Sequence, residues 1–355
     1  MQLNIGLTEH RPPGAMTWEL PPWGHGLARG VFPLLISVAD ELTPIGTAFC
    51  ISRTGIAASA THLVRELFRF EPRGEEILKA QELPSQYRLR HTGLGLLHTH
   101  WASDEIFQVN VWPVEGAYGA PPTDVLYLHP QFQREFSYLP LKLSFAVPPL
   151  GSRVFCVGYS DAVLPRGVLS RADLESGRIG DWFQHYRHKF LVTEARVMDV
   201  FTQGFARGFG GGACFAVDAE LAAGQSGGPV FNDAGYVCGV ISATVTSFLN
   251  RPASLISLFY PSLLTEITFG CQIGPMRFDA THCLIDLVDY GTVQTDSSEE
   301  LATFVREHDR WSVGIMTRRS DSHAMFDDFS SLQSGIQARG ETRKVFCYRR
   351  RVQKG

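Results

Sequence analysis

A serine flanked by glycines occupies the most informative segment, Gly224-Gln225-Ser226-Gly227-Gly228-Pro229. A serine hydroxyl becomes a useful nucleophile when its oxygen is exposed and a base removes its proton. Glycines on both sides let a substrate approach and let backbone N–H groups point at a developing oxyanion. The strand-like residues on both sides place this turn between two strands, which excludes the strand-to-helix elbow of the α/β hydrolases. The segment predicts Ser226 as a nucleophile, with the N–H groups of Gly224 and Ser226 as the oxyanion hole.

Three segments together resemble the chymotrypsin/trypsin-like serine peptidases. AGQSGGPVF resembles the G-x-S-G-G-P motif of that family, GTAFCISRTGIAASATHLV resembles its block ending in T-A-x-H, and TDVLYLHP resembles its D-[IV]-A-[LV]-L block. They follow the chain order His, Asp, Ser that this family requires. The resemblance covers about residues 30–265. It implies a serine endopeptidase acting on protein or peptide substrates, with His62 as general base, Asp124 as orienting carboxylate and Ser226 as nucleophile.

The resemblance also implies how substrate is bound. The strand at Ser242, Ala243 and Thr244 is expected to pair with extended substrate backbone. Glu220 stands six residues before Ser226, where trypsin-like relatives place the acid at the base of the specificity pocket. This position predicts a preference for Lys or Arg on the acyl side of the cut bond.

Two residues bear on the third member of the triad and on activation. Asp104 in WASDEIF is the alternative to Asp124, which we prefer because its carboxylate immediately precedes an apolar strand. Gln225 stands where digestive members carry an Asp that receives a liberated α-ammonium. A neutral amide cannot offset the desolvation of a buried cation, so we expect no switching by a new N-terminus.

Short apolar runs recur between Gly, Pro and Asp turn signals from Val31 onward, a rhythm typical of closed or sandwiched β-structure. Together with the resemblance, this predicts an all-β fold of two six-stranded antiparallel β-barrels with a short α/β C-terminal extension. The predicted divisions are an irregular N-terminal arm laid over the first lobe, the first barrel, the second barrel and the extension, over residues 1–28, 29–145, 146–270 and 271–355. The Ser cap and early acids of SSEELATFVREHDR predict a helix in the extension.

Composition limits the partners. The 355 residues carry a formal net charge of −4, which gives no global basic field for nucleic acid, and we interpret the basic end RKVFCYRRRVQKG as a solvated tail. No segment has the roughly 18 uninterrupted apolar residues of a membrane span. The extension is the candidate contact for a protein partner. The N-terminus has no basic start and apolar stretch of a secretory signal, so we expect a cytoplasmic location.

No cofactor or metal is predicted. The seven cysteines are odd in number and irregularly spaced, which argues against both a disulfide framework and a zinc ribbon. The pairs His98 with His100 and His185 with His188 have no evident third ligand, so we interpret them as structural or surface residues. The glycine-rich stretch 204–212 lacks the Lys-Ser/Thr ending of a phosphate loop and is interpreted as a mobile loop near the active site.

Overall fold

A computed structural model describes much of the chain. The described residues are 6–21, 26–38, 41–52, 55–79, 89–101, 107–120, 122–130, 139–144, 147–163, 187–205, 212–248, 251–259, 262, 266–273, 276–283, 300–307, 310–317, 320–326 and 345–349.

The first barrel contains six strands: β2 Val31–Val38, β3 Glu41–Cys50, β4 Ala57–Ala60, β5 Thr92–Trp101, β6 Phe107–Gly119 and β7 Val125–Pro130. They close into an antiparallel barrel in the order β2-β3-β4-β7-β6-β5. All six residues of β7 are buried, and its tyrosine Tyr127 is among the largest fully buried side chains. Apolar and β-branched residues favour strands that are covered on both faces, which accounts for VLYL here.

The second barrel contains the strands β8 Arg153–Val163, β9 Arg187–Phe201, β10 Cys214–Val217, β11 Pro229–Asn232, β12 Val237–Phe248 and β13 Arg251–Leu258. Neighbours follow the order β9-β10-β13-β12-β11-β8, and β8 pairs with β9 to close the circle. The two closed barrels confirm the predicted all-β double-barrel fold. Helix is sparse in the described ranges: α1 is Thr61–Arg65, α2 is Gly74–Lys79, and 3-10 turns cover Gly26–Arg29 and Glu66–Phe70.

The N-terminal arm contacts both barrels: Gly26–Arg29 lies against β2 and β5 of the first, as predicted for the arm, but the prediction that the arm is irregular throughout is wrong, because part of it is a strand of the second. Its residues Thr17–Leu20 form strand β1, which pairs antiparallel with β9. The buried Trp18 donates from Nε1 to the carbonyl of Leu7 at 2.8 Å. The guanidinium of Arg11 stacks over the Trp18 ring at 5.1 Å and pairs with Glu194 of β9. The Pro- and Gly-rich composition concealed the four-residue alternation of exposed and buried side chains in TWEL.

The connector between the barrels is bonded to both of them. Leu141 donates its N–H to Cys50 of the first barrel at 2.8 Å, and Ser144 donates its N–H to Val237 of the second at 2.6 Å. A second contact between the lobes comes from the chain after β13, where Phe259 packs edge-on against Phe49 with ring centroids 6.1 Å apart. The barrels therefore share one continuous hydrophobic core.

The extension differs from its prediction. Its described segments are the strands β14 Glu266–Ile273, β15 Met276–Cys283, β16 Glu300–Glu307, β17 Arg310–Thr317, β18 Ser320–Phe326 and β19 Val345–Arg349. The helix predicted in SSEELATFVREHDR is wrong, because β16 runs through it and pairs with β17 and β19. Its central Thr-Phe-Val is aromatic and β-branched, which favours a strand over the helix suggested by the preceding Ser and acids.

The cysteines of the barrels are buried and reduced. Cys156, Cys214 and Cys238 are free thiols, and Cys50 donates from Sγ to the carbonyl of Ser52 at 3.2 Å. Burial raises the pKa of Cys214 to about 11 and that of Cys238 to about 12. These thiols stay protonated and unreactive at neutral pH because the thiolate is the reactive form.

A buried carboxylate anchors the start of β5. Glu71 is 6% exposed and accepts hydrogen bonds from the N–H groups of Arg90, His91 and Thr92 and from the Thr92 hydroxyl, at 2.7–3.0 Å. Burial by itself would raise the pKa of Glu71, but these hydrogen bonds outweigh it and hold the pKa below its usual value of 4.5. Glu71 thus ties the chain after α1 to the barrel.

Because the folded-state pKa of Glu71 is lowered, its stabilisation is present above pH 4.5 and is lost as pH falls through the folded-state value. We expect Glu71→Gln to reduce the free energy of unfolding at pH 7 by about 1.5–3 kcal/mol, and to reduce the loss of stability on acidification. Urea unfolding between pH 7 and pH 3 measures both effects. Glu76→Gln is the control, because Glu76 belongs to an exposed ion pair with Arg73. Equal pH dependence in wild type and Glu71→Gln would contradict the anchoring role.

Candidate active site

His62 and Asp124 form a bidentate pair at the edge of the first barrel. His62 is the second residue of α1, directly after β4, and Asp124 directly precedes β7. The backbone N–H of His62 donates to Asp124 Oδ1 at 2.9 Å, and His62 Nδ1 lies 2.7 Å from Asp124 Oδ2. Thr61 strengthens the junction, because its N–H donates to the carbonyl of Asp124 at 2.8 Å and its hydroxyl donates to that of Val125 at 3.0 Å. Asp124 therefore meets the imidazole, and its alternative Asp104 lies outside the described residues.

A third hydrogen bond to Asp124 comes from the second barrel. Ser242 of β12 donates its hydroxyl to Asp124 Oδ2 at 2.5 Å and is itself 5% exposed. The sequence placed Ser242 on the strand that pairs with substrate and gave no sign of this contact. The carboxylate thus receives one backbone and two side-chain contacts, which fixes its orientation and joins the two barrels at the site.

Ser226 lies on the turn between β10 and β11, partly exposed. Gly46 of β3 lies close both to its backbone and to the helix that carries His62: a Cβ atom added at Gly46 would lie 2.5 Å from Leu63 Cδ1 and 2.8 Å from the Ser226 carbonyl oxygen. Between the described side chains of Ser226 and His62 there is no hydrogen bond. Such contacts are often long in unliganded sites and shorten when substrate is bound.

The backbone N–H groups of this turn fall into two sets. Those of Gln225, Gly227 and Gly228 donate to the carbonyls of Ala222, Ile241 and Gln225, respectively, at 2.7–3.1 Å. In contrast, neither the Gly224 nor the Ser226 N–H has an acceptor among the described residues. Gly224 has a φ of +92°, a conformation open to glycine but strained for other residues. The two N–H groups that the sequence assigns to an oxyanion hole therefore have no acceptor among the described residues.

Thr47 of β3 holds the turn against the first barrel. It is fully buried; its N–H donates to the Ser226 carbonyl and its hydroxyl to the Gly224 carbonyl, both at 2.8 Å. The same hydroxyl accepts the N–H of Tyr159 in β8 at 2.9 Å, and the Thr47 carbonyl accepts the Ser59 hydroxyl at 2.7 Å. Three of these four hydrogen bonds cross from the first barrel to the second. Sequence reasoning missed Thr47, although it belongs to the quoted GTAF segment.

Gly227 permits this close approach. A Cβ atom at Gly227 would lie 2.2 Å from the Thr47 carbonyl oxygen and 2.3 Å from Ser59 Oγ. Both atoms belong to β3 and β4, whose positions are fixed by the barrel. Glycine is therefore required here so that the Ser226 turn can contact the first barrel.

Gln225 forms hydrogen bonds within its own turn. It is 1% exposed, its Oε1 accepts the Ala222 N–H at 2.8 Å, and its own N–H donates to the Ala222 carbonyl at 3.1 Å. Its carbonyl also accepts the Gly228 N–H at 2.9 Å. The side chain that replaces the ammonium-binding Asp of digestive relatives therefore contributes to ordering its own loop.

The remaining predicted residues differ in how far they are exposed to solvent. Thr244 and Glu220 are exposed and Ala243 is partly exposed, so the pocket-base role of Glu220 stays a prediction. His98 is buried inside the first barrel, with its ring 5.4 Å from that of Phe32. His188 packs edge-on against a buried tyrosine, and burial lowers its pKa to about 4. His185 and the side chain of His100 lie outside the described residues.

The glycine-rich stretch 204–212 is described only at its two ends. Gly212 lies against Thr123, the neighbour of Asp124, since a Cβ added there would come within 2.6 Å of Thr123 Cα. Among the described side chains, no group of three His, Cys, Asp or Glu residues is placed to hold a metal ion. None of the helices in the described ranges has the length and hydropathy that a bilayer-spanning helix needs.

Two closed six-stranded barrels, with a His–Asp pair on the first and a glycine-flanked serine turn on the second, define the two-barrel peptidase fold of the chymotrypsin type. Residues 46–240, more than half of the chain, match the trypsin-like peptidase domain, and the chain belongs to that family.

Solved structures with a similar fold include two proteases. The apo protease domain of MamO from Magnetospirillum magneticum is 14% identical, with a TM-score of 0.40 over 66% of this chain and 94% of that one. The active form of the Rv3671c protease from M. tuberculosis is 16% identical, with a TM-score of 0.38 over 65% of this chain and 77% of that one. No curated protein matches the sequence.

The Thr47 hydroxyl gives a testable prediction about the site's architecture. Thr47→Val keeps the shape but leaves the Tyr159 N–H and the Gly224 carbonyl without this partner, which costs about 1–3 kcal/mol for each buried group. We expect Thr47→Val to lower the free energy of unfolding by about 2–6 kcal/mol and to accelerate hydrogen exchange at Tyr159. Thr47→Ser, which keeps the hydroxyl, should retain most of the stability and protection.

Chemical denaturation and amide exchange measure these two effects. Thr43→Val is the matched control, because Thr43 is an exposed residue of the same strand. If Thr47→Val and Thr43→Val change stability and exchange equally, the hydroxyl does not join the barrels.

Proposed function

We propose that this chain is a serine endopeptidase that hydrolyses peptide bonds through an acyl-enzyme on Ser226. The observation that carries the proposal is the hydrogen-bonded His62–Asp124 pair on the first barrel, together with a serine turn whose Gly224 and Ser226 N–H groups have no acceptor among the described residues. The trypsin-like peptidase domain supports the same chemistry.

His62 acts as the general base. An Nδ1–H that donates to Asp124 leaves Nε2 as an acceptor, the tautomer that takes the proton of Ser226. As the proton moves to His62, the serine oxygen forms a bond to the carbonyl carbon of the scissile peptide. His62 then returns the proton to the amine as the C–N bond breaks, and water repeats the sequence on the acyl-enzyme. Asp124 keeps the ring oriented and stabilises the imidazolium.

The N–H groups of Gly224 and Ser226 receive the oxyanion. A preorganised donor matters because charge appears on the carbonyl oxygen in the transition state, and loss of one donor in a serine protease costs about 2.7–4 kcal/mol. The hydrogen bond that the Thr47 hydroxyl donates to the Gly224 carbonyl, and the one that Gln225 Oε1 accepts from the Ala222 N–H, support this geometry before substrate arrives. We further propose that substrate backbone pairs with β12 from Ser242 to Val245.

The alternative is a trypsin-like fold that binds peptides without cleaving them. The missing hydrogen bond between Ser226 and His62 in the described structure is the observation that favours it. The two functions differ in whether Ser226 is nucleophilic, and this difference can be measured without knowledge of the substrate.

We expect a fluorophosphonate probe to label the full-length protein on Ser226 and to leave Ser226→Ala unlabelled. Asp124→Asn should label far more slowly, because loss of the orienting carboxylate lowers turnover by about 10⁴ in the well-studied members of this enzyme class. Mass spectrometry of the labelled peptide and the time course of labelling measure both effects. Absence of labelling in a folded wild-type protein would support the binding module instead.

We also expect that cleavage within the N-terminal arm does not switch the site on. Versions that begin at residues 11, 16, 21 and 31 should label no faster than the full chain, because the neutral Gln225 precedes Ser226 and already orders the loop. Loss of β1 should instead destabilise the second barrel. Trp18→Ala should cost about 3–5 kcal/mol, the usual range for deleting a buried aromatic side chain.

Thermal unfolding and labelling rates test this pair of expectations. Met16→Ala is the control for Trp18→Ala, because Met16 is 51% exposed in the same arm. Strong labelling that emerges only after one particular new terminus is created would show that the arm is an activation segment.

A further inference from the structure

Three rings pack together where β8 and β9 pair beside the Ser226 turn. Tyr159 of β8 lies opposite Phe190 of β9 in the register, and their rings are stacked with centroids 4.6 Å apart. His188 precedes Phe190 by two residues and so lies on the same face of β9, where it packs edge-on against Tyr159 with centroids 4.9 Å apart. All three side chains are at most 8% exposed. We name these three residues the ring stack.

Tyr159 joins the ring stack to the first barrel and to the Ser226 turn. Its hydroxyl donates to the Val31 carbonyl at 3.1 Å, and its N–H donates to the Thr47 hydroxyl at 2.9 Å. That hydroxyl in turn donates to the Gly224 carbonyl at 2.8 Å. The Tyr159 carbonyl oxygen also lies against Gly224, since a Cβ atom added there would come within 2.8 Å of it. The position of Gly224 therefore depends on that of Tyr159.

We propose that Tyr159 is a positioning residue for the oxyanion hole and that His188 makes this positioning sensitive to acid. A neutral His188 keeps the ring stack closed and Gly224 in place. When His188 takes up a proton, the ring stack opens and the turn that carries the Gly224 and Ser226 N–H groups loses its support. The effect on catalysis rests on the proposed function, whereas the opening of the ring stack does not.

The surroundings of His188 accept only the neutral imidazole. Burial disfavours the imidazolium and lowers the pKa of His188 from 6.5 to about 4. Burial also raises the pKa of the Tyr159 hydroxyl, so this neighbour stays neutral and offers no countercharge. His188 is therefore neutral at pH 7, and a protonated His188 is stabilised by moving into water.

The charged groups that flank His188 in the described strands lie on the opposite face of the sheet. Arg187 and Lys189 are its neighbours in β9 and are exposed, so their side chains point away from it. Lys189 pairs with Asp161 of β8 at 2.7 Å, and Glu19 of β1 acts on the same lysine. The lowered pKa of His188 is accordingly an effect of burial and not of these cations.

The direction of the pH dependence follows from the lowered pKa. Well above pH 6.5, His188 is neutral whether the ring stack is closed or open. As the pH falls from 6.5 towards 4, the open form binds a proton that the closed form does not bind, so the ratio of open to closed molecules rises tenfold for each pH unit. Over the whole interval the ratio rises roughly 300-fold.

Amide hydrogen exchange of the full-length protein tests the opening without requiring catalysis. Exchange rates are measured from pH 7.5 to pH 4.5 and divided by the intrinsic rate at each pH. We expect the protection of the Tyr159 and Gln225 N–H groups to fall at least tenfold between pH 6.5 and pH 4.5 in the wild type. It should stay constant in His188→Phe, which keeps a ring but binds no proton.

Two further variants complete the exchange experiment. His188→Gln also binds no proton and is smaller than Phe, so it gives the same comparison if His188→Phe fails to fold. His91→Gln is the matched control, because His91 is an exposed histidine of the first barrel, and it should follow the wild type.

Fluorophosphonate labelling tests the effect on catalysis. Each labelling rate is divided by that of the same protein at pH 7.5, and the variant is then compared with the wild type. His62 titrates in both proteins, so its contribution cancels in this comparison. We expect the normalised rate of His188→Phe to exceed that of the wild type at least threefold at pH 4.5, while His91→Gln matches the wild type.

The outcomes separate this inference from the proposed function. Equal pH dependence of exchange in the wild type and in the His188 variants would overturn the acid sensitivity, as it would if the Tyr159 ring stabilised a protonated His188. Equal normalised labelling profiles would overturn the positioning role of Tyr159. Failure of the wild type to label at any pH would overturn the peptidase proposal, and the exchange data would still decide whether His188 opens the ring stack.

Discussion

Thr47 satisfies all of its backbone and hydroxyl hydrogen-bonding groups at the point where the two barrels meet. Leaving this fully buried hydroxyl without its partners would cost free energy. The first barrel and the Ser226 turn are therefore held in one relative position. The His62–Asp124 pair belongs to one barrel and the serine to the other. Their mutual placement therefore depends on a few buried hydrogen bonds across the interface, of which those of Thr47 and Ser242 are the most direct.

The sequence was sufficient to find the residues whose role is written in a short contiguous motif. His62 follows a strand-and-turn block, Asp124 precedes an apolar strand, and Ser226 lies between glycines, so each has a local signal. Ser242 and Thr47 have none. Each is a small hydroxyl residue within a strand, and its importance comes from a partner more than 100 positions away in the chain. Local patterns do not encode such contacts.

The same distinction separates the correct and incorrect parts of the fold prediction. Strands with continuous apolar runs, such as β2, were recognised because burial on both faces leaves a plain signature. Strand β5 has a weaker local signal because glycines and histidines interrupt its apolar residues, although barrel closure buries His98 almost completely. In the extension, a helix-like cap and charge pattern preceded β16, but the pairing of that strand with two neighbours overrode it. Tertiary pairing decided both cases.

Strand β1 has a consequence for the behaviour of the protein in solution. Because β8 occupies one edge of β9 along Arg187–Arg196, β1 must lie on the opposite edge, in line with β10. It pairs with backbone N–H and C=O groups of β9 that would otherwise form an exposed, twisted strand edge beside the barrel. Uncovered edges of this kind are templates for pairing between molecules. The arm thus protects the protein against self-association. A protein that lacks the arm would tend to pair with other copies along this strand edge.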